Sequence, residues 1–260
     1  MQIIKTIPSL ACAFTDRRGG VSEGEFASLN LKYPVTPQDE TGGEKRVFTN
    51  RQRVCEAIGL KAHNTVACQQ VHGHYVHEVS TADAGRGALQ HEDGIPESDG
   101  LLTRETRIPL LIMVADCYPV VLADPVLKIV AAVHSGWRGT QQQIAVQALH
   151  QMQAHGSRAE NIYGIIGTGI GFDSFEVGGE VVDAFATQIN ASDPRLVKQV
   201  GEKYRLNLPR ILQGQLQGAG IPEAQIQWLG GDTLTDENCF SYRRQKGVTG
   251  RQGVIVGWTD

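Results

Sequence analysis

Two short apolar runs, Ile108 to Val114 and Ile129 to Val133, constrain this chain more than any other part of it. Both are rich in Ile, Val and Leu and too short for helices, so they read as buried strands. Each ends in reactive side chains: Ala115-Asp116-Cys117-Tyr118-Pro119 follows the first, and His134-Ser135-Gly136-Trp137-Arg138-Gly139 follows the second. A sheet that buries these strands delivers Cys117 and His134 to its edge. Tyr118-Pro119 reads as a polar break that sets Cys117 apart from a plain core thiol, and Gly136 permits close backbone approach to a ligand. A third group, His72, lies upstream in Gln69-Gln70-Val71-His72-Gly73-His74. One thiolate and two imidazoles can hold zinc at three corners of a tetrahedron and leave the fourth open, as catalytic zinc sites do. The gaps, 45 residues from His72 to Cys117 and 17 from there to His134, are unlike the short loops of zinc fingers, so the fold must assemble such a site. His74 and His77 lie close enough to compete with His72, and spacing alone does not choose among the three.

The flanking segments supply mixed elements. Ile3 to Ala13 reads as a strand, followed by the Gly-rich turn Arg18-Gly19-Gly20 and a polar loop with Pro34, Pro37 and Gly42-Gly43. Glu44 to Ile58 places Val47, Val54 and Ile58 on one face and ends at Gly59, which predicts a helix presenting Asn50 and Arg51. Thr65 to Val79 alternates like a strand, with His72 and His74 on one face and His77 on the other. Thr81 to Gly100 is rich in Gly, Ala and Asp and reads as an exposed loop. Gly139 to His155, Gly178 to Ile189 and Leu206 to Gly218 read as helices, the last with Pro209 in its first turn, and Asn161 to Ile166 as a strand. After that strand, Phe172 stands where a dinucleotide fingerprint beginning at Gly167 needs its third glycine, so a Rossmann site is not expected. The pattern predicts an α+β fold with layered α/β packing, a mixed β-sheet and helices in one compact domain over residues 1–260, and not an alternating parallel barrel.

Composition limits the partners. A formal charge of -4 and a pI near 6.1 leave no basic stripe for nucleic acid and no polybasic membrane patch. No apolar run approaches a membrane span and the first residues lack a signal peptide's core, so a cytoplasmic protein is expected. The five cysteines, Cys12, Cys55, Cys68, Cys117 and Cys239, are odd in number and scattered, which reads as reduced thiols. Oligomeric state is not legible.

Several motifs in one order, Gln70-Val71-His72-Gly73, Ala115-Asp116-Cys117-Tyr118-Pro119-Val120, His134 to Gly139, Phe175-Glu176-Val177-Gly178 and Ser241-Tyr242-Arg243-Arg244 with Thr249-Gly250-Arg251-Gln252, resemble the laccase-domain family. It is also called the multicopper polyphenol oxidase or YfiH-like family. The likeness starts at Phe14 to Ser22, continues through Ser28-Leu29-Asn30-Leu31 and Asn50-Arg51, and covers nearly the whole chain. It implies a zinc-dependent purine nucleoside phosphorylase acting on adenosine, inosine and methylthioadenosine, with adenosine deaminase activity alongside. It places the family's metal ligands on His72, Cys117 and His134, and so chooses His72 over its neighbours. Thr168, where family members usually carry proline, departs from the pattern.

Phosphorolysis needs a cationic cradle for inorganic phosphate, and the planar fork of Arg suits phosphate oxygens. Arg51, Arg138, Arg243 and Arg244 are the candidates, Arg138 because it leads a Gly-flanked turn into a helix and Arg243 from the family's Tyr-Arg-Arg pattern. Asn50 and Arg51 fall in a matched segment. Glu176 reads either as a ligand-facing acid or as a carboxylate leading a helix. Asp116, beside Cys117, is a candidate proton shuttle. Two rival chemistries use overlapping residues. A copper-dependent phenol oxidase needs His-rich sets that the eight dispersed histidines do not supply, so copper is disfavoured as the cofactor. A Cys-His hydrolase, with Cys117 as nucleophile and His134 as base, could cleave an amide such as one in a peptidoglycan precursor.

Overall fold

The computed structural model describes residues 1–35 and 43–260, so Pro37 and Gly42 of the expected polar loop lie outside the described residues. Hydrogen bonding sorts the strands into two large sheets and one small one. The first runs β1 (Gln2–Ile4), β2 (Leu10–Phe14), β14 (Gln252–Trp258), β6 (Leu110–Val114), β3 (Val66–Ala67). The second runs β13 (Ile226–Trp228), β9 (Tyr163–Ile166), β7 (Tyr118–Asp124), β8 (Ile129–Ser135), β5 (Gly100–Thr103), β4 (Val76–Val79). The small sheet is β10 (Glu176–Val177), β12 (Lys203–Leu206), β11 (Val197–Val200). Both large sheets are mixed: β3 lies parallel to β6 and β4 parallel to β5, whereas β14 and β7 run antiparallel to β6 and β8.

Side-chain alternation along the central strands decides the layering. Leu110, Ile112 and Val114 of β6 and Val254 and Val256 of β14 meet Val121 and Ala123 of β7 and Val130 and Ala132 of β8 between the two sheets. Their neighbours point the other way. Leu111, Met113 and Ile255 pack under α1 (Gly43–Ala57), with Val54 and Cys55 against them. Val120, Leu122, Ala131 and Val133 pack under α3 (Ile144–Ala154) and α5 (Leu208–Gly218). The order is helix, sheet, sheet, helix, and α2 (Trp137–Gln141) and α4 (Gly179–Asp183) complete the helical side. Strands covered on both faces read as unbroken apolar runs, which is why Ile108 to Val114 shows no polar alternation. Each fully buried Leu, Ile or Val stabilises this arrangement by about 2 kcal/mol.

The structure corrects several expected elements. Ile3 to Ala13 is a hairpin, with Ser9 in the left-handed region at φ 60 and Ile3 paired to Ala13. Thr65 to Val79 is broken between Ala67 and Val76, and His72 sits at φ 63, so His72 and His74 do not share a strand face. Thr81 to Gly100 is not simply exposed, because Ala88, Ile95, Ser98 and Asp99 are buried. The helix expected from Gly139 is two, α2 and α3, separated at Gln143 with φ 57. That expected over Gly178 to Ile189 is only the short α4. Tyr118-Pro119 opens the buried strand β7 and is no polar break. In α5, Asn207 caps the first turn by accepting the Arg210 N–H, and Pro209 fills a position that needs no donor.

Asn50 and Arg51 fasten α1 to the rest. Both are buried. Asn50 accepts the Val21 N–H at 2.8 Å and donates to the Asn30 carbonyl at 2.8 Å. Arg51 donates from Nε to the Leu31 carbonyl at 2.8 Å and from Nη1 to the Gly87 carbonyl at 2.6 Å, with its guanidinium 4.3 Å from the Tyr33 ring centroid. Its fork is spent on main-chain oxygens from two loops. Replacing Arg51 with Met leaves those buried carbonyls unpaired, and we expect a loss of about 3 kcal/mol in urea unfolding. A loss below about 1 kcal/mol would show that the clasp is energetically idle.

Candidate active site and metal centre

Two of the three expected ligands lie on links that pass from one large sheet to the other. The chain leaves β6 in the first sheet and enters β7 in the second through residues 115–117, a turn made possible by the left-handed Asp116 at φ 84. It also leaves β3 in the first sheet and reaches β4 in the second through the segment that carries His72. His134 completes the set from near the end of β8, opposite Pro119 of β7. Their ligand atoms lie within 4.8 Å of one another, and the two imidazoles meet edge to face with centroids 4.8 Å apart. Ligands of a tetrahedral zinc stand about 3.5 Å apart, so a small inward adjustment brings this set to bonding geometry. His134 is buried, Cys117 half-buried and His72 exposed, which leaves one side of the trio open.

Asp99, immediately before β5, holds the arrangement and was not foreseen. Its carboxylate is fully buried and accepts the backbone N–H groups of Val71 at 3.0 Å, His72 at 3.0 Å and Gly73 at 2.7 Å. The oxygen that receives the His72 N–H also lies 2.7 Å from His134 Nδ1. With Nδ1 committed to Asp99, His134 presents Nε2 to a metal. Burial opposes charge on Asp99, yet the hydrogen bond and charge of His134 and the loop N–H groups hold it below the usual carboxylate range. Burial likewise raises the Cys117 thiol, but His134 and His72 outweigh it and favour the thiolate. The opposite balance, Cys117 and Asp99 against burial, raises His134. Thiolate and imidazole donors backed by a carboxylate form a set suited to zinc or another thiophilic divalent ion.

Glycine is required beside the thiol. A Cβ on Gly136 would lie 2.8 Å from Cys117 Sγ and 3.7 Å from His72 Cδ2.

The trio forms part of the wall of a cavity of about 650 Å³. Met113, Asp116, Ile170, Phe175, Tyr242, Arg243 and Lys246 also line it. Asp116 accepts the Thr233 hydroxyl at 2.6 Å and the Arg243 N–H at 2.8 Å. The Arg243 guanidinium donates to the Glu176 carbonyl at 3.0 Å and lies 5.3 Å from the Phe175 ring centroid. Five expected residues, Asn50, Arg51, Arg138, Glu176 and Arg244, do not line this cavity. Asn50 and Arg51 are buried in the α1 clasp; Arg138 is exposed on α2, 4.4 Å from the Trp137 ring; and the exposed Glu176 carboxylate pairs with Arg205 at 3.5 Å. Arg244 donates to the carbonyls of Thr233 and Leu234 and braces a loop. Asp99 carries the same sequence signal as the ligands, a polar residue against a short apolar run, Leu101-Leu102, but it was hidden in a segment that composition marks as loop.

Comparison with known proteins gives the family and the fold. The family model described as multi-copper polyphenol oxidoreductase laccase matches residues 11–259. The chain is 34% identical to a purine nucleoside phosphorylase of Deinococcus radiodurans, over 96% of this chain and 90% of the relative. It is also 34% identical to purine nucleoside phosphorylase YlmD of Geobacillus stearothermophilus, over 94% and 90%. The crystal structure of Bacillus licheniformis hypothetical protein YfiH superposes with a TM-score of 0.92 at 31% identity, covering 98% of this chain and 95% of that one. That of YlmD from Geobacillus stearothermophilus gives 0.89 at 32%, covering 98% and 93%.

Asp99→Asn turns an NH2 group toward N–H donors, and we expect zinc affinity measured by chelator competition to fall about 10- to 100-fold. Unchanged affinity would remove Asp99 from the metal's support. Gly136→Ala forces Cys117 Sγ aside, and should lower zinc content after dialysis while leaving the far-UV circular dichroism spectrum intact.

Proposed function

The chain belongs to the multi-copper polyphenol oxidoreductase laccase family, and on that basis we propose that it is a zinc-dependent purine nucleoside phosphorylase. The observation that carries this reading is that one cavity is lined both by His72, Cys117 and His134 and by the cations Arg243 and Lys246. The relatives named purine nucleoside phosphorylase support it. Its volume falls within the range of about 300–1,000 Å³ usual for small-molecule sites. Substrates are adenosine, inosine and methylthioadenosine with inorganic phosphate, and adenosine is also deaminated. Nucleic acid is not a partner, and the protein works in the cytoplasm. No helix among the described residues is long and apolar enough to cross a membrane.

Zinc held by His72, Cys117 and His134 supplies a Lewis acid at that wall of the cavity. The protein's own groups do the rest. Arg243, its main chain pinned by Asp116 and its guanidinium by the Glu176 carbonyl, is fixed in position to bind phosphate with little loss of side-chain freedom. Lys246 adds a second positive charge. A phosphate oxygen attacks C1' of the ribose, the bond from C1' to the purine nitrogen breaks, and its electron pair leaves with the base. The proton that the phosphate sheds ends on the base, so charge and atoms balance. Asp116 is the candidate carrier of that proton, its two oxygens already ordered by Thr233 and Arg243.

The thiolate character of Cys117 beside His134 also suits a nucleophilic cysteine, the alternative hydrolase reading, and metal content separates the two. A copper oxidase reading requires further ligand sets. Purified protein with quantified metal, given adenosine with and without phosphate, should release adenine and ribose 1-phosphate only with phosphate, and inosine in either case. Chelation should abolish both. His72→Ala, Cys117→Ala and His134→Ala should each lose zinc and at least about 100-fold in kcat/KM, as expected when a metal ligand is removed. Full turnover of a metal-free sample would overturn the zinc assignment, and a zinc-loaded sample without product would overturn the phosphorylase.

A further inference from the structure

Tyr242 is a large aromatic residue with 54% of its surface exposed, yet it is not loosely placed. It lines the same cavity as the metal trio. The segment that carries it is wound into tight turns: the Gln245 N–H donates to the Ser241 carbonyl, and the Gly247 N–H to the Tyr242 carbonyl at 2.9 Å. Gly247, at φ 100, turns the chain back beside the ring, within ordinary contact distance of the Tyr242 hydroxyl. The Arg251 guanidinium stands 5.6 Å from the ring centroid, its Nη1 held by the Thr249 and Gly250 carbonyls at 2.8 and 3.0 Å. The ring thus has a cation against it, half of its surface uncovered and a place in the wall of the cavity.

The ring is also tied to the metal ligands. The peptide N–H that follows Tyr242, that of Arg243, donates to Asp116, whose neighbour is Cys117. The main chain beside the ring is thereby anchored next to one ligand, while the adjacent Arg243 side chain runs to Phe175 and Glu176.

We propose that Tyr242 is the platform on which the purine ring of the nucleoside stacks, with Arg251 supporting its other face. The inference rests on the phosphorylase reading and assigns the base-binding position within that cavity. A purine offers a larger π-face than a pyrimidine, and stacking on an aromatic side chain grows with that face, so the platform contributes to the choice of purine nucleosides.

The test is a kinetic comparison of Tyr242→Ala and Tyr242→Phe with the wild-type zinc-loaded protein, adenosine and phosphate being varied separately. Stacking stabilises the bound nucleoside before and during reaction alike, so its loss raises KM and spares kcat. Tyr242→Ala should raise the KM for adenosine about 10- to 100-fold, with kcat within about threefold and the KM for phosphate within about twofold. Tyr242→Phe should restore the adenosine KM. Because the residue is exposed, thermal unfolding should be unchanged in both. An unchanged adenosine KM in Tyr242→Ala, a fall in kcat alone, or a rise confined to the phosphate KM overturns the proposal and leaves the phosphorylase standing. If the wild-type protein turns over no nucleoside, equilibrium dialysis with adenosine decides instead. Binding lost in Tyr242→Ala and restored in Tyr242→Phe upholds the platform while the reaction fails. No binding by wild type overturns both.

Discussion

One carboxylate organises the centre of this molecule. Asp99 lies where a loop and a strand end converge, and its two oxygens serve three successive backbone N–H groups and one imidazole. Without such an acceptor, the three part-buried N–H groups from Val71 to Gly73 would lose the partner they share. The same contacts set the left-handed turn at His72 and orient the His134 ring. Backbone satisfaction and ligand placement are one interaction here. A residue that mainly solves a folding problem thereby becomes part of the chemistry.

The double-sheet architecture explains why the ligands converge although they are distant in sequence. Links that cross between stacked sheets must emerge at the edge of the sandwich, and two of them, with the end of β8, emerge together. The cavity lies there, and the 241–251 segment and the Phe175 loop contribute part of its wall. Asp116 joins these parts, since it follows a strand of the first sheet, precedes the ligand Cys117 and holds Arg243.

What the sequence disclosed follows from how local each signal is. Buried strands such as β6 and β8 were visible because their apolar runs are continuous, and Cys117 and His134 because they stand just beyond or near the ends of such runs, whereas His72 was chosen from its neighbours only by the family resemblance. The layered mixed fold followed from the same elements. The pairing of the sheets was not visible, and neither was β14, whose partners β2 and β6 are far away in the chain. Asn50 and Arg51 were misjudged for a physical reason: an Arg that satisfies buried carbonyls has the same letter as one that binds phosphate, and only its burial separates the two. Asp99 was missed because its partners are mostly main-chain atoms, which carry no mark in a sequence.

The crossing links also bear on how the protein withstands heat and scarcity. An ion that joins His72 and Cys117, on two separate crossings, to His134 closes covalent-like loops through the sandwich, as a cross-link does. Anything that binds only the folded chain stabilises it in proportion to the logarithm of its free concentration. If the trio binds an ion, durability of the fold would thereby be tied to its supply, and a cell starved of it would hold a more easily unfolded protein.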